Sequence, residues 1–384
     1  KEGPAAGAGA APASDAAAID AAIAKGVAWL RGQASDGKWT TRTPDGSVVP
    51  SPAHTALALA PVARALPKAE RRTDALVKGA AGFLVALQRE DGGVQSPQNY
   101  YDNYYTSASL MALSIVDDPA HAEAREKMKE FLLTLQRIDE GRNEGGFGYN
   151  KTQGADLSNA QFTVESLRAA GLPEDAPAMI RARRYLEAVQ NRSENEANKH
   201  AAWEVDHEGH GTVTVVPGND GSAGYEPGVS KAGLQKLPDG TYVPRGYGSM
   251  TYALLKCYLL TGLPFDDERV QAAVGWLGEN YDWEQNPGFE TLAREKGMKD
   301  APYWGLYYYY LTAAKALALT GVDTLDTPDG PKDWRADLAA ALMKRQSADG
   351  SWSNDKAERW EEGDPMIATS YAVLALQEIR QGMK

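Results

Sequence analysis

Six stretches of the chain open on polar residues able to hold a ligand or move a proton, and then turn apolar. They are "SPAHTALALA", "DNYYTSASLMAL", "DLSNAQFTVESL", "YGSMTYALLKCYLL", "YYYYLTAAKALAL" and "PMIATSYAVLAL". Five share a threonine at one register, Thr55, Thr106, Thr251, Thr312 and Thr369, where the remaining one has Ala160. One residue before that register stand His54, Tyr105, Asn159, Met250, Leu311 and Ala368. Four before it stand Ser51, Asp102, Asp156, Tyr247, Tyr308 and Pro365. If these are helix starts, the two layers lie one turn apart on one face. Carboxylates, phenols, an imidazole and an amide at one level suit general acid–base chemistry or recognition of a polar-aromatic ligand. The same residues also have structural uses. Asp102, Asp156 and Asp364 precede helices, where Asp is a favoured N-cap, and buried tyrosines often bond neighbouring segments.

The elements that must position these residues form a repeat. Each polar-start stretch follows a more charged helical pattern that ends in Gln and a Gly-rich turn: "VAWLRGQASDGKW", "AGFLVALQREDGGV", "KEFLLTLQRIDEGRNEGGFGY" and "AALMKRQSADGSW". "RRYLEAVQNRSEN" and "VGWLGENYDWEQNPG" are degraded copies. Apolar residues at three- and four-residue steps predict helices in both series. The polar-start series is apolar nearly all round and belongs inside, whereas the charged series belongs outside. Six outer–inner pairs of roughly 50–60 residues each read as a helical repeat array. Inner helices apolar on both sides favour a closed ring over an open solenoid.

Bulk properties narrow the functions. The 384 residues carry a formal charge of −12, which repels nucleic acid and anionic lipid. A single cysteine, Cys257, excludes a disulfide framework and a multi-cysteine metal centre. No apolar run approaches the ~20 residues of a membrane span. Residues 1–16 read as a disordered Ala/Gly/Pro-rich leader, and 17–384 as one domain with an irregular insertion at about 193–245. That insertion contains "KHAAWEVDHEGHGTV". His207 and His210 there are a candidate metal pair, with a solvated loop as the plainer reading. No cofactor is expected.

Gln33 with Trp39 and Gln346 with Trp352 resemble the Gln–Trp repeat of squalene–hopene cyclases and the related repeat of protein prenyltransferase beta subunits. The resemblance spans about residues 17–380. "YGSMTYA", "GLYYYYLTAAKAL", "DWRADLA" and "RWEEGDP" resemble more narrowly a group of bacterial, often planctomycete, prenyltransferase/squalene-oxidase-repeat proteins. It implies an all-α (α/α)6 toroid with inner helices around a central cavity, and a periplasmic or secreted location, with the cytoplasm as the alternative. The motif Gln is expected to bond orphan carbonyls at its helix end, and the Trp to pack over the turn.

Such cyclases protonate an alkene with the middle acid of Asp-x-Asp-Asp-Thr-Ala. Asp156 matches the first acid, but Ser158 and Asn159 replace the later ones, and Tyr104 and Tyr105 replace them after Asp102. Prenyltransferases ligate zinc with Asp, Cys and His, yet no Asp-x-Cys occurs and Cys257 lies mid-helix. The expected site is therefore a cavity approached by Asp102, Tyr105, Asp156, Asn159, Tyr247, Tyr252, Tyr308 and Asp364 from different repeats. Its expected occupant is a small molecule, an isoprenoid-like compound or a carbohydrate. Two alternatives are an active terpenoid cyclase or prenyltransferase, and a polysaccharide lyase or hydrolase, the lyase using Tyr105, His54 and Asn159.

Overall fold

The computed structural model describes residues 16–43, 45–95, 100–207, 209 and 211–383. Most of the expected leader and His210 lie outside the described residues. The polar-start stretches form six helices: α2 (Pro52–Arg64), α4 (Asp102–Val116), α6 (Leu157–Ala169), α8 (Gly248–Leu260), α11 (Leu306–Thr320) and α13 (Pro365–Gln381). The charged series gives α1 (Ala16–Gln33), α3 (Ala75–Ala86), α5 (Ala122–Leu133), α7 (Pro177–Val189), α9 (Glu268–Glu279) and α12 (Trp334–Lys344), and a short α10 (Glu290–Lys296) follows α9. In the first group α2 packs on α4, α4 on α6, α6 on α8, α8 on α11, α11 on α13, and α13 back on α2. Each helix of the second group packs on a member of this cycle.

Composition explains the two layers. Ala- and Leu-rich α2, α8 and α13 are buried on almost every face, so they can have neighbours on all sides. Outer α5 buries only Ala124, Met128, Phe131 and Leu132, a stripe at helical spacing. The chain departs from an all-α fold in three small sheets. Strands β1 (Thr40–Arg42) and β2 (Val48–Pro50) form one, and β7 (Thr324–Leu325) and β8 (Lys332–Asp333) another. Between α7 and α8, β3 (Trp203–His207), β4 (Gly211–Val215), β5 (Leu234–Lys236) and β6 (Tyr242–Pro244) make a four-stranded sheet in the order β3-β4-β6-β5. His207 ends β3 opposite Gly211, its ring edge-on to Tyr242 at 5.6 Å.

The shared threonine is a pin. Thr55, Thr106, Thr251 and Thr369 accept from the backbone N–H of Trp39, Val94, Ala223 and Trp352 at 3.1, 2.9, 3.2 and 2.9 Å. Each bond fixes the Gly-rich turn against the start of its inner helix. Thr312 instead bonds its own helix, donating to the Tyr308 carbonyl at 2.8 Å.

The motif Gln and Trp do not divide their work as expected. It is the Trp that bonds carbonyls at the end of its own outer helix: Trp39 Nε1 donates to Leu30 O and Trp352 Nε1 to Leu342 O, each at 2.8 Å, the latter carbonyl also accepting from Arg345 N at 3.0 Å. The Gln crosses to the next outer helix. Gln88, Gln136, Gln190 and Gln346 each donate to a carbonyl in their own turn and to Ala124, Ala178, Arg269 and Ala22 respectively. The last of these joins the end of the repeat series to α1 and closes the outer layer. Gly145 shows why the turn needs glycine. Its φ is 85°, and a Cβ there would stand 1.9 Å from the Arg181 carbonyl of α7. Gln346→Leu should remove both closing bonds and lower stability by about 1–3 kcal/mol, as read from a chemical denaturation midpoint.

Candidate functional site

All six turns that lead from an outer into an inner helix gather at the end where the inner helices start, and the long connections lie there. Two exposed tyrosines begin the site. Tyr100 and Tyr101 are 41% and 43% accessible. They pack on Tyr149 at 5.5 and 5.6 Å, and Tyr101 stacks on Tyr105 at 6.5 Å. Deeper lies a ring of side chains from four inner helices. Tyr104 meets Phe162 edge-on at 5.0 Å, Phe162 meets Tyr308 at 6.0 Å, and Tyr308 meets Tyr371 at 6.3 Å. The hydroxyls of Tyr104 and Tyr371 close the circle at 2.8 Å. Ser158 and Gln161 bond the Tyr308 hydroxyl at 3.2 and 2.8 Å. Tyr104, Ser158, Phe162 and Tyr308 keep accessible surface although they stand on helices packed on both sides. They meet across the interior of the cycle, from helices that are not all neighbours in it.

One turn further down, charge replaces aromatics. Glu165 lies between Lys256, at 2.5 Å, and Lys315, and Lys256 also bonds Gln161. Glu165 and Lys315 retain 14% and 13% of their side-chain surface, and Lys256 only 2%. Burial alone would raise the Glu165 carboxyl, but the two ammonium groups outweigh it and hold it at about 2. Burial and the neighbouring Lys256 lower the Lys315 ammonium. Arg64 and Glu378 pair at 2.5 Å between α2 and α13. The interior of the cycle thus has an aromatic level above an ion-paired one.

The eight residues expected to share one cavity do not do so. Tyr308 belongs to the aromatic ring, and Tyr105 stacks on the exposed Tyr101. Asp102 is clamped by both Arg89 nitrogens at 3.0 and 3.1 Å. Asp156 caps α6, accepting from Asn159 N and Asn159 Nδ2 at 2.8 and 2.7 Å, so Asn159 is spent on its own cap. Asp364 caps α13 and bonds His54 Nε2 at 3.0 Å. Tyr247 is buried against Phe289 at 4.7 Å, and Tyr252 between Trp283 and Tyr309 at 6.2 and 5.7 Å. Capping and interhelical packing took these residues, as the register alone could not decide. Ser51, His54 and Asp364 form a hydrogen-bonded chain, with Ser51 Oγ 2.8 Å from His54 Nδ1. Ser51 is 4% accessible and caps α2 by accepting from His54 N.

Two further carboxyls are unusual. Burial pushes Asp156 up to about 6 despite its bonds from Asn159. Glu362, fully enclosed, is pushed up to about 7 by burial against the bonds it accepts. Those bonds come from Tyr307 N at 3.1 Å, Tyr308 N at 2.7 Å and Asn354 Nδ2 at 3.0 Å. Glu362 supplies the cap that Gly305, left-handed at the start of α11, has no side chain to give. Trp360 and Glu361 beside it hold φ of 59° and 63°, a strained conformation for side-chain-bearing residues.

The residues the sequence reading missed are Tyr104, Gln161, Phe162, Glu165, Lys256, Lys315 and Tyr371. A signal for the ion-paired level was present, because Lys256 and Lys315 are lone charges within "YALLKCYLL" and "LTAAKALAL". Among the described residues no helix is long and apolar enough to cross a membrane.

A cyclic inner layer with its polar and aromatic residues turned to the axis belongs to a terpene cyclase-like fold, and solved structures agree. The chain is similar to the type II terpene cyclase MstE from Scytonema in complex with merosterolic acid A as product, with a TM-score of 0.59 and 15% identity over 96% of this chain and 99% of that one. A complex of the same enzyme with geranylgeranyl dihydroxybenzoate as substrate gives 0.58 and 14%, over 96% and 99%. Its unliganded form gives 0.57 and 15%, over 96% and 100%. No protein-family model matches the sequence, and no curated protein matches it.

Proposed function

We propose that this chain is an (α/α)6 toroid of the terpenoid cyclase kind that binds an isoprenoid-like small molecule in its axial throat and does not cyclise it. The observation that carries this reading is the ring of aromatic side chains from four inner helices. Tyr104, Phe162, Tyr308 and Tyr371 offer ring faces and edges to an apolar ligand, while Ser158, Gln161 and the tyrosine hydroxyls offer polar contacts. Against catalysis stands the identity of the nearby acids. Protonating an alkene needs a protonated carboxyl facing it. Glu165 is held ionised at the ion-paired level, Asp156 is engaged by Asn159, and Glu362 is enclosed and engaged by the start of α11 and by Asn354. The lyase reading loses support from His54, Tyr105 and Asn159, which serve three separate contacts.

Geranylgeranyl dihydroxybenzoate, the substrate in one of the similar structures, is the direct probe. Calorimetry should detect its binding to the protein, and the compound recovered after prolonged incubation should be unchanged by mass spectrometry and NMR. Phe162→Ala with Tyr308→Ala should weaken binding by about tenfold or more, the loss of two ring contacts at about 1 kcal/mol each. A cyclised product would defeat the inactivity, and binding indifferent to both substitutions would move the ligand out of the throat.

A further inference from the structure

A groove on the flank of the ring, away from the throat, is walled by the four-stranded sheet, the end of α9 and the segment that leads into α10, and holds about 580 Å3. That is within the size range of ligand clefts. Its lining contains one cation, Arg245, and two acids, Asp220 and Glu290. Arg245 is half-buried, and among the described arginines its guanidinium alone lacks a hydrogen-bond, ion-pair or ring partner. Five N–H donors are thus held at the groove with no protein acceptor. The two acids are not spent on it. Asp220 Oδ1 accepts from Ser222 N and Oγ at 3.0 and 2.5 Å, and Glu290 Oε2 accepts from Gly288 N at 2.8 Å. Backbone contacts therefore fix both carboxylates in place as acceptors. Trp276 lines the same groove with a partly accessible indole. Asn280 beside it donates Nδ2 to the Trp276 carbonyl at 2.8 Å.

These groups select a ligand class. One guanidinium against two carboxylates leaves the lining slightly negative, which disfavours an anion, and the guanidinium disfavours a cation. A sugar meets all of them, because each hydroxyl both donates and accepts and a pyranose face is apolar enough to lie on an indole. We propose that this groove binds a neutral oligosaccharide, with one ring on Trp276 and its hydroxyls on Arg245, Asp220 and Glu290.

The test uses the full chain and a panel of maltotriose, cellotriose, xylotriose and mannotriose, with a glucuronate-bearing trisaccharide as the acidic comparison. Calorimetry should show at least one neutral trisaccharide binding with a Kd of about 1 mM or tighter. Trp276→Leu and Arg245→Met should each weaken it by about tenfold. Circular dichroism, melting temperature and binding of geranylgeranyl dihydroxybenzoate should stay unchanged in both variants, which separates this groove from the throat. No binding by any neutral member, binding by the acidic sugar alone, or binding that survives both substitutions would overturn the proposal.

Discussion

Glu165→Ala should lower the unfolding free energy by about 3–5 kcal/mol, the cost of leaving buried charges without their counter-ion. Lys256 and Lys315 both depend on this carboxylate, and Lys256 is 2% accessible. Urea unfolding followed by circular dichroism measures the loss. The triple variant Glu165→Leu, Lys256→Met, Lys315→Met removes the charges together and should recover most of it. If the triple variant is no more stable than Glu165→Ala, packing rather than charge holds the ion-paired level. The same carboxylate sets an acid limit. Its folded value of about 2 lies below its ordinary 4.5, so the unfolded state binds more protons between them. Its contribution is complete above about 4.5 and disappears as pH falls through 2. Glu362 and Asp156 act with the opposite sign. Their folded values of about 7 and about 6 lie above the ordinary 4.5 and 3.8, so the folded state binds more protons in those windows. Stability therefore falls as pH rises toward 7. A melting-temperature profile should show both limbs, and Glu362→Gln should flatten the one toward neutrality.

Trp352→Ala should cost about 3–5 kcal/mol, the usual loss for truncating a fully buried aromatic. Trp352 is completely buried, and its indole N–H bonds the Leu342 carbonyl at the end of α12. Its backbone N–H is held by Thr369. The ring rests on α1 at Gly26, where a Cβ would come within 2.8 Å of it and 2.5 Å of Val373. Glycine within a helix is unfavourable, and here it makes the seat for the indole. Trp352→Phe keeps most of the volume and loses only the indole bond to the Leu342 carbonyl, which retains the Arg345 N–H, so it should lose less. Equal losses for Phe and Ala would show that the hydrogen bond, not the ring, carries the effect.

The repeat, the two helix layers and the threonine register were legible because they follow from periodicity, which packing must respect. The site was less legible. The register could not tell a cap from a ligand contact at Asp102, Asp156 and Asp364. Only coordinates reveal that Arg89, Asn159 and His54 occupy those carboxylates. The ion-paired level is not marked by the register, because Glu165, Lys256 and Lys315 lie beyond the first turn of their helices. In the insertion, "WEVDH" and "GTVTV" alternate as strands do, and Gly209 at φ 80° lies in the turn between them. The two glycines there favour a solvated loop over a metal pair, and the hairpin is hidden by the same glycines.

The seam between α13 and its partners α1 and α2 has a consequence for synthesis on the ribosome. Gln346 reaches Ala22 across 324 residues, Arg64 reaches Glu378 across 314, and His54 reaches Asp364 across 310. At about 5–20 residues per second, α1 and α2 emerge roughly 15–65 s before the segments that cover them. During that interval an Ala/Leu-rich flank stands open to water, a target for holding chaperones and a hazard for self-association. Nascent chains stalled before Gln346 should therefore remain sensitive to protease at α1, and protection should come only when the last inner helix has left the exit tunnel.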